Sequence, residues 1–336
     1  MSKKTIGLFL VSLVILLFGC GKRFDPGTSK SVENTPDEDL IVVGVSQVGS
    51  ESVWRTANTA SIQQAFTKDK GYFLIFENAR QKQENQIKSL RSFISQQVDY
   101  IIFSPITEDG WETVLQEAKD ANIPVILMDR MVDVHDESLY TTWVGSDFEK
   151  EGENAGKWLA SHLTKVGREG EDINIVVLKG TEGSTSVIGR TDGFNLVAKK
   201  HENWKILEQT DADFTTTKGR QVMKGMLENY DRIDVVVSQN DDMTFGAIEA
   251  INDVGKTTGV DGDIIVISFD AVKAALQMVE GGVINADVEC NPVQGEFVEG
   301  IIKDLEANRL VDKQNYIPEK VFTKDNVGSV INERTY

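Results

Sequence analysis

The chain has 336 residues, 53 of them acidic and 35 basic, for a formal net charge of −18. A surplus of that sign excludes a nucleic-acid partner, because such binding is driven by neutralisation of phosphates. Two cysteines, Cys20 in a leader and Cys290, allow neither an internal disulfide nor a thiolate metal cluster in the mature chain.

Lys3 and Lys4 open a short basic region, residues 6–18 are apolar but too few to span a bilayer, and "LFGC" closes the stretch at Cys20, as in an exported precursor. Leu17, Gly19 and Cys20 resemble the lipobox of bacterial lipoproteins. Residues 1–20 are then a lipoprotein signal peptide, and an acyl group on Cys20 anchors the protein to a membrane without a spanning helix. An ordinary cleaved signal and an uncleaved anchor are the alternatives. Residues 21–39 are polar, carry Pro26, Gly27 and Pro36, and read as a flexible tether with no means of building a core.

From residue 40 onward, strand and helix alternate. Apolar runs rich in β-branched residues appear at 40–46, 72–76, 98–103, 124–128, 173–178, 206–209, 233–238, 264–269 and 283–288. Amphipathic segments separate them, as at 86–95, where Ile87, Leu90, Phe93 and Ile94 share a face. Runs this continuous suit parallel strands covered on both sides, so the fold class is α/β with βαβ crossovers. "VDYIIFSP" (98–105) and "IPVILMDR" (123–130) are echoed by "IDVVVSQN" (233–240) and "DIIVISFD" (263–270). This weak duplication implies two similar lobes, each an open parallel sheet flanked by helices, with the carboxyl ends of both sets of strands around one cleft.

The polar residues just past the strand ends form a coherent set. They are Gln47, Glu51, Trp54 and Arg55, then Asp129 and Arg130, Arg190 beyond the turn "GTEGST", Asp213 and Phe214, Asn240 and Asp241, Asp270, and Glu289, Cys290 and Asn291. Singly, each has an ordinary explanation: an Asp after a strand caps the next helix, Asp129 and Arg130 make a structural ion pair, and Trp54 belongs to the core. Together they place carboxylates, guanidiniums, amides and aromatic rings at one edge of two sheets, which suits polyol recognition. Sugar hydroxyls both donate and accept, so Asp or Asn beside Arg satisfies neighbouring hydroxyls, while Trp54 and Phe214 offer ring faces to sugar C–H groups. Micromolar binding of a hexose, about −8 kcal/mol, needs roughly −0.7 kcal/mol per heavy atom and hence nearly complete burial between the lobes.

Catalysis has little support. His135, His162 and His201 stand away from strand ends, and "GTEGST" lacks the lysine of a phosphate-binding loop. Paired acids such as Asp211 with Asp213, or Asp241 with Asp242, fit helix starts as well as any metal or glycosidase site. No enzyme activity, cofactor or metal is expected.

"VGVSQVGSESVWR" (43–55), "QKQENQIKSLRSF" (81–93), "WETVLQEAKDANIPVILMDR" (111–130), "DFTTTKG" (213–219) and "QNDDMTFGAIEAI" (239–251) carry a resemblance through both lobes. The chain resembles the type I periplasmic substrate-binding proteins of ABC sugar importers, in their galactofuranose-binding branch. The resemblance implies ligand contacts at Trp54, Arg55, Asp129, Arg130, Arg190, Phe214, Asn240 and Asp270. Pentose and pyranose binders of the family often carry two aromatics after the first strand, where Trp54 and Arg55 stand here. In "ADVECNP" (286–292), Glu289 or Cys290 takes a place where the family often has Gln; Glu289 is the residue chosen. Because the family crosses between lobes three times, 40–146 plus 291–320 should form the N-terminal lobe and 147–290 plus 321–336 the C-terminal lobe, around a three-stranded hinge. The implied partners are a monosaccharide and the permease and ATPase subunits of an importer, the protein itself being a lipid-anchored extracytoplasmic monomer. Galactofuranose leads as ligand, ahead of arabinofuranose, ribose and galactopyranose. A sugar sensor that presents the liganded form to a chemoreceptor or membrane kinase is the alternative role.

Overall fold

The computed structural model describes residues 40–336, so the signal peptide, Cys20 and the tether lie outside the described residues. The first elements are β1 (Ile41–Gln47), α1 (Val53–Ala65), β2 (Tyr72–Asn78), α2 (Gln83–Gln96), β3 (Tyr100–Phe103), α3 (Glu112–Asp120), β4 (Val125–Met128) and β5 (Thr142–Gly145). Next come α4 (Phe148–Lys165), β6 (Ile173–Lys179), α5 (Thr185–Ala198), β7 (Trp204–Asp211), α6 (Thr216–Asn229), β8 (Val235–Ser238), α7 (Asp241–Asp253), β9 (Ile265–Asp270), α8 (Lys273–Glu280) and β10 (Ala286–Glu289). The chain closes with α9 (Gly295–Glu306), β11 (Gln314–Tyr316) and β12 (Val321–Thr323).

Two six-stranded sheets result, ordered β11-β5-β4-β3-β1-β2 and β12-β10-β9-β8-β6-β7. The order is the same in both, so the duplication visible in the strand motifs is one of topology. Every pairing is parallel except that of β12 with β10. Both faces of each sheet are covered, which is why the strands read as unbroken apolar runs. In β3, Ile101 and Phe103 pack with Leu90, Phe93, Trp111 and Leu115 of one layer, while Ile102 packs with Ile62, Val298, Ile301 and Ile302 of the other. In β6, Ile175 and Val177 meet Leu159, Leu163 and Phe194, while Val176 and Leu178 meet Met223, Met226, Ala247 and Ile251. Each such buried side chain contributes about 1.5–3 kcal/mol.

Three strands carry no clear pattern in the sequence: β5, β11 and β12. They are short edge or near-edge strands with at most two aliphatic or aromatic residues in a row, and tertiary pairing rather than local propensity makes them. The run at 283–288 becomes a strand only from Ala286, because the N–H groups of Val283 and Ile284 donate to the Met278 carbonyl and complete the end of α8.

The chain passes between the sheets at 146–147 after β5, at 290–294 after β10, and at 317–320 between β11 and β12. Helix α9 returns to the first sheet, where Gly295 lies so close to α1 that a Cβ would sit 2.3 Å from the Ser61 carbonyl oxygen.

Candidate ligand site

Ser52 caps α1 by accepting from the Arg55 N–H at 3.0 Å, and this fixes the first turn carrying Trp54 and Arg55 at the carboxyl end of β1. The Arg55 guanidinium is fully engaged. Its Nε donates to Glu51 Oε1 at 3.0 Å, Nη1 to Gln47 Oε1 at 3.2 Å and Nη2 to Asp129 Oδ2 at 2.8 Å. Burial opposes the charge, but Asp129 and Glu51 outweigh it and raise the Arg55 pKa. Asp129 also accepts from Ser104 Oγ at 3.0 Å, and its carbonyl accepts from the Trp143 indole at 3.0 Å.

Arg130 is held less completely. Nη1 donates to the Ile106 carbonyl at 2.9 Å, whereas Nε is buried without a hydrogen-bond partner among the described residues, with Asp129 Oδ2 3.9 Å away. Burial, followed by the neighbouring Arg55 charge, lowers its pKa to about 10.

From the other lobe, Arg190 reaches the same space from α5. Its Nε donates to Glu151 Oε2 at 2.6 Å and Nη1 to the Gln239 carbonyl at 2.5 Å, with Nη2 3.5 Å from Asp270 Oδ1. Helices α4 and α5 approach closely enough for this pairing because small residues face each other: a Cβ on Gly193 would lie 2.0 Å from the Glu149 carbonyl oxygen. Asn240 caps α7, accepting from Met243 N–H at 2.9 Å, and its amide donates to the Phe214 carbonyl at 3.2 Å. Asp129, Phe214 and Asp270 have φ of 65°, 59° and 105°, strained values for residues with a side chain, and all three stand at strand ends facing the cleft. Burial raises the Asp270 pKa well above the usual carboxylate range, with Arg190 opposing it.

The lobes are closed upon each other. Val53 N–H donates to Asp242 Oδ2 at 3.0 Å, Glu108 N–H to the Gly183 carbonyl at 3.0 Å and Met131 N–H to Thr185 Oγ1 at 3.1 Å. Between them lies a small cavity, about 300 Å³ of empty space when its open mouth is included, lined by Glu51, Trp54, Arg55, Asp129, Arg130, Arg190, Phe214, Asn240 and Asp270. Ser52, Phe148, Ser186 and Cys290 complete the wall.

Two of the eleven residues taken from the sequence sit elsewhere. Gln47 stands behind Arg55, its amide donating to Asn58 Oδ1 at 2.9 Å, and so supports the wall without lining it. Glu289 is a correction. As the last residue of β10 it points away from the cavity, pairing with Arg334 at 2.8 Å and accepting from Lys320 N–H at 3.2 Å. Successive residues of an extended chain alternate sides, so Cys290 is the one that faces inward, with its carbonyl accepting from the Trp54 indole at 2.7 Å. Phe148, which packs with Trp54 and Cys290, has no motif of its own; the signal is its place immediately after the first crossing.

The arrangement can hold a small neutral solute. The three guanidiniums on the wall are countered by Glu51, Asp129 and, just behind it, Glu151, while burial favours a neutral Asp270, so formal charge balances. Glu51 Oε2 and Arg130 Nε, one acceptor and one donor, are buried without partners among the described residues, and such groups cost about 1–3 kcal/mol each until satisfied. Trp54, Phe148 and Phe214 supply apolar faces.

Residues 42–305 match the model of the periplasmic binding protein domain. The chain belongs to the periplasmic binding protein family. It is 42% identical over 255 residues to the galactofuranose-binding protein YtfQ of Escherichia coli K12, an alignment that covers 75% of this chain and 78% of YtfQ. A solved structure from Mycobacterium smegmatis in complex with β-D-fucofuranose superposes with a TM-score of 0.84 at 41% identity, covering 88% of this chain and 96% of that one. The binding protein of the arabinose ABC transporter of Shewanella sp. ANA-3, bound to α- and β-L-arabinofuranose, superposes with a TM-score of 0.81 at 39% identity over 88% of this chain and 95% of its own. This periplasmic binding protein is therefore of the sugar-importer kind and is not an enzyme. The family is extracytoplasmic, and no helix among the described residues is long and apolar enough to cross a membrane.

Proposed function

We propose that the protein captures one monosaccharide in its furanose form, galactofuranose first among the candidates, and presents the closed liganded state to the permease and ATPase of an ABC importer. The observation that carries this reading is the closed, charge-balanced cavity in which Arg130 Nε and Glu51 Oε2 stand unpartnered opposite aromatic faces. A phosphorylated or acidic sugar would need a surplus of positive charge that the wall does not provide. Relatives named for galactofuranose, and structures bound to fucofuranose and arabinofuranose, support the choice of ring form. Sugar binds the open form, contacts from both lobes stabilise the closed one, and the difference in affinity drives closure. Acylation of Cys20 holds the protein, a monomer, beside the membrane where the importer sits.

A thermal-shift panel of galactose, arabinose, ribose, fucose and furanose-locked derivatives tests the proposal. Galactofuranose or another furanose should raise the melting temperature by several degrees at millimolar sugar. A shift with sugar phosphates or uronic acids and none with furanoses would overturn it.

A further inference from the structure

Behind the sugar cavity, the three crossings between the sheets converge on a buried cluster that shares only Cys290 with its wall. Ser146 comes from the first, Cys290 and Asn291 from the second and Glu319 from the third, while Glu151 stands in the first turn of α4. Ser146 Oγ donates to Glu319 Oε1 at 2.5 Å, Asn291 N–H to the same oxygen at 2.8 Å, and Ser146 Oγ lies 3.3 Å from Cys290 Sγ. Atoms of Glu151, Cys290 and Glu319 fall within 4.8 Å of one another. Glu151 gives Oε2 to Arg190, and its Oε1 is buried with no hydrogen-bond partner among the described residues.

Two ionised carboxylates in so dry a place would repel strongly. The Glu151 oxygen that makes no hydrogen bond has only the weak Cys290 thiol donor beside it, and a proton on Glu319 provides a stronger one. We propose that Glu151 and Glu319 share a single proton in the closed protein, and that through it Glu319 acts as a positioning residue for Arg190 at the sugar cavity. With Glu319 neutral, Glu151 remains the anion that balances Arg190 and keeps that guanidinium turned toward Asp270 and the cavity.

The electrostatics agree with the geometry. Burial, followed by the charge of Glu151, pushes Glu319 up to about 10, and a protonated Glu319 has Glu151 as its hydrogen-bond partner. Burial also raises Glu151, with Arg190 opposing it, and keeps Cys290 a thiol. The charged groups around the pair are Arg190 and Asp270 on the cavity side, and Asp147, Lys150 and Lys320 along a second cavity that both carboxyls line. When the lobes part, the crossings rotate, the pair meets water and the proton leaves. For a carboxyl raised from the ordinary 4.5 to about 10, the contribution to closure and folding is complete below the ordinary value and is lost as pH rises toward the raised one.

The inference about Arg190 rests on the proposed sugar site, so the test has one arm that uses sugar and one that does not. In the first arm, wild type and Glu319→Gln, whose amide keeps a donor toward Glu151, are melted without sugar from pH 6 to pH 9. The wild type should lose melting temperature relative to Glu319→Gln as pH rises; identical profiles would overturn the shared proton. So would a purified protein that carries one equivalent of divalent metal and is destabilised by EDTA, since the three side chains would then be metal ligands. In the second arm, galactofuranose binding is measured by calorimetry. Affinity should fall in wild type relative to Glu319→Gln by up to about tenfold per pH unit. At pH 6, Glu319→Gln should bind within about threefold of wild type, whereas Glu319→Ala and Glu151→Gln should each lose about tenfold or more. A Glu319→Gln protein as weak as Glu319→Ala would remove the positioning role. If wild type binds no galactofuranose at any pH, the sugar reading fails and the melting arm still decides the proton.

Discussion

Arg55 and Arg190 line one cavity from opposite lobes, and what differs is the surroundings of the carboxylates that hold them. Every partner of Arg55 belongs to its own lobe: Glu51 precedes it by one helical turn, Gln47 ends β1 and Asp129 follows β4. That half of the site is assembled by the first sheet alone and is set before the lobes meet. Arg190 leans on Glu151, whose neighbours Cys290 and Glu319 come from the crossings. Arg190 too is held within its own lobe, by Glu151, the Gln239 carbonyl and Asp270, so the two halves share a strand order and differ one step further out, where the counter-ion of Arg190 alone meets the hinge.

Removing Arg55 should have the largest effect on the unliganded protein. Arg55→Ala leaves Glu51 and Asp129 buried without their cation, and losing one partner of a buried pair costs about 3–5 kcal/mol. Urea unfolding should show that loss without sugar; an unchanged midpoint would mean that the network is solvated. Arg130 belongs to the same lobe but spends one bond on the Ile106 carbonyl and makes no hydrogen bond through Nε, which lies 3.9 Å from Asp129. Arg130→Ala should therefore leave the sugar-free melting temperature within a few degrees and weaken sugar binding by about 2–3 kcal/mol, roughly 100-fold. A full ligand-induced shift in this variant would take Arg130 out of the binding set.

In the C-terminal lobe, stability and binding are entangled at Asn240, which caps α7. Asn240→Ala should cost about 1 kcal/mol of sugar-free stability in addition to binding. Asn240→Asp keeps the capping oxygen and loses the amide donor, so it should recover the stability and not the affinity. Recovery of both would show that Asn240 serves only the helix. The smallest effect is expected for Trp54→Phe, which keeps an aromatic face but loses the indole bond to the Cys290 carbonyl. Stability should change by about 1 kcal/mol and most of the sugar-dependent tryptophan fluorescence change should disappear; a retained signal would place the responding indole elsewhere.

Much of this was legible in the sequence because strands buried on both faces leave unbroken apolar runs, and the polar residues that end them stand out. Trp54, Arg55, Asp129, Arg130, Phe214, Asn240 and Asp270 lie within a few residues of such ends, and the structure brings them round one cavity. Arg190 lies deeper in α5, where the turn "GTEGST" after β6 points toward it and the family resemblance implies the same residue. Elements made by long-range pairing were not legible: β5, β11 and β12 carry no periodicity, and Phe148 reaches the wall only through the path of the first crossing. At 289–290 the sequence marks the correct segment but not its facing, since a one-residue change of register exchanges the two sides of a strand. Gln47 shows a further limit, because a polar residue at a strand end can hold a wall residue instead of lining the wall.

The central claim is that this cavity takes a neutral furanose through groups left unsatisfied on its wall. Calorimetric titration of wild type and Arg130→Ala with galactofuranose, L-arabinose and galactose 6-phosphate tests it most directly. The account predicts saturable one-to-one binding of a furanose-forming sugar at micromolar concentration, its loss in Arg130→Ala, and no binding of the phosphate. Tight binding of the phosphate, or furanose binding that survives Arg130→Ala undiminished, would contradict it.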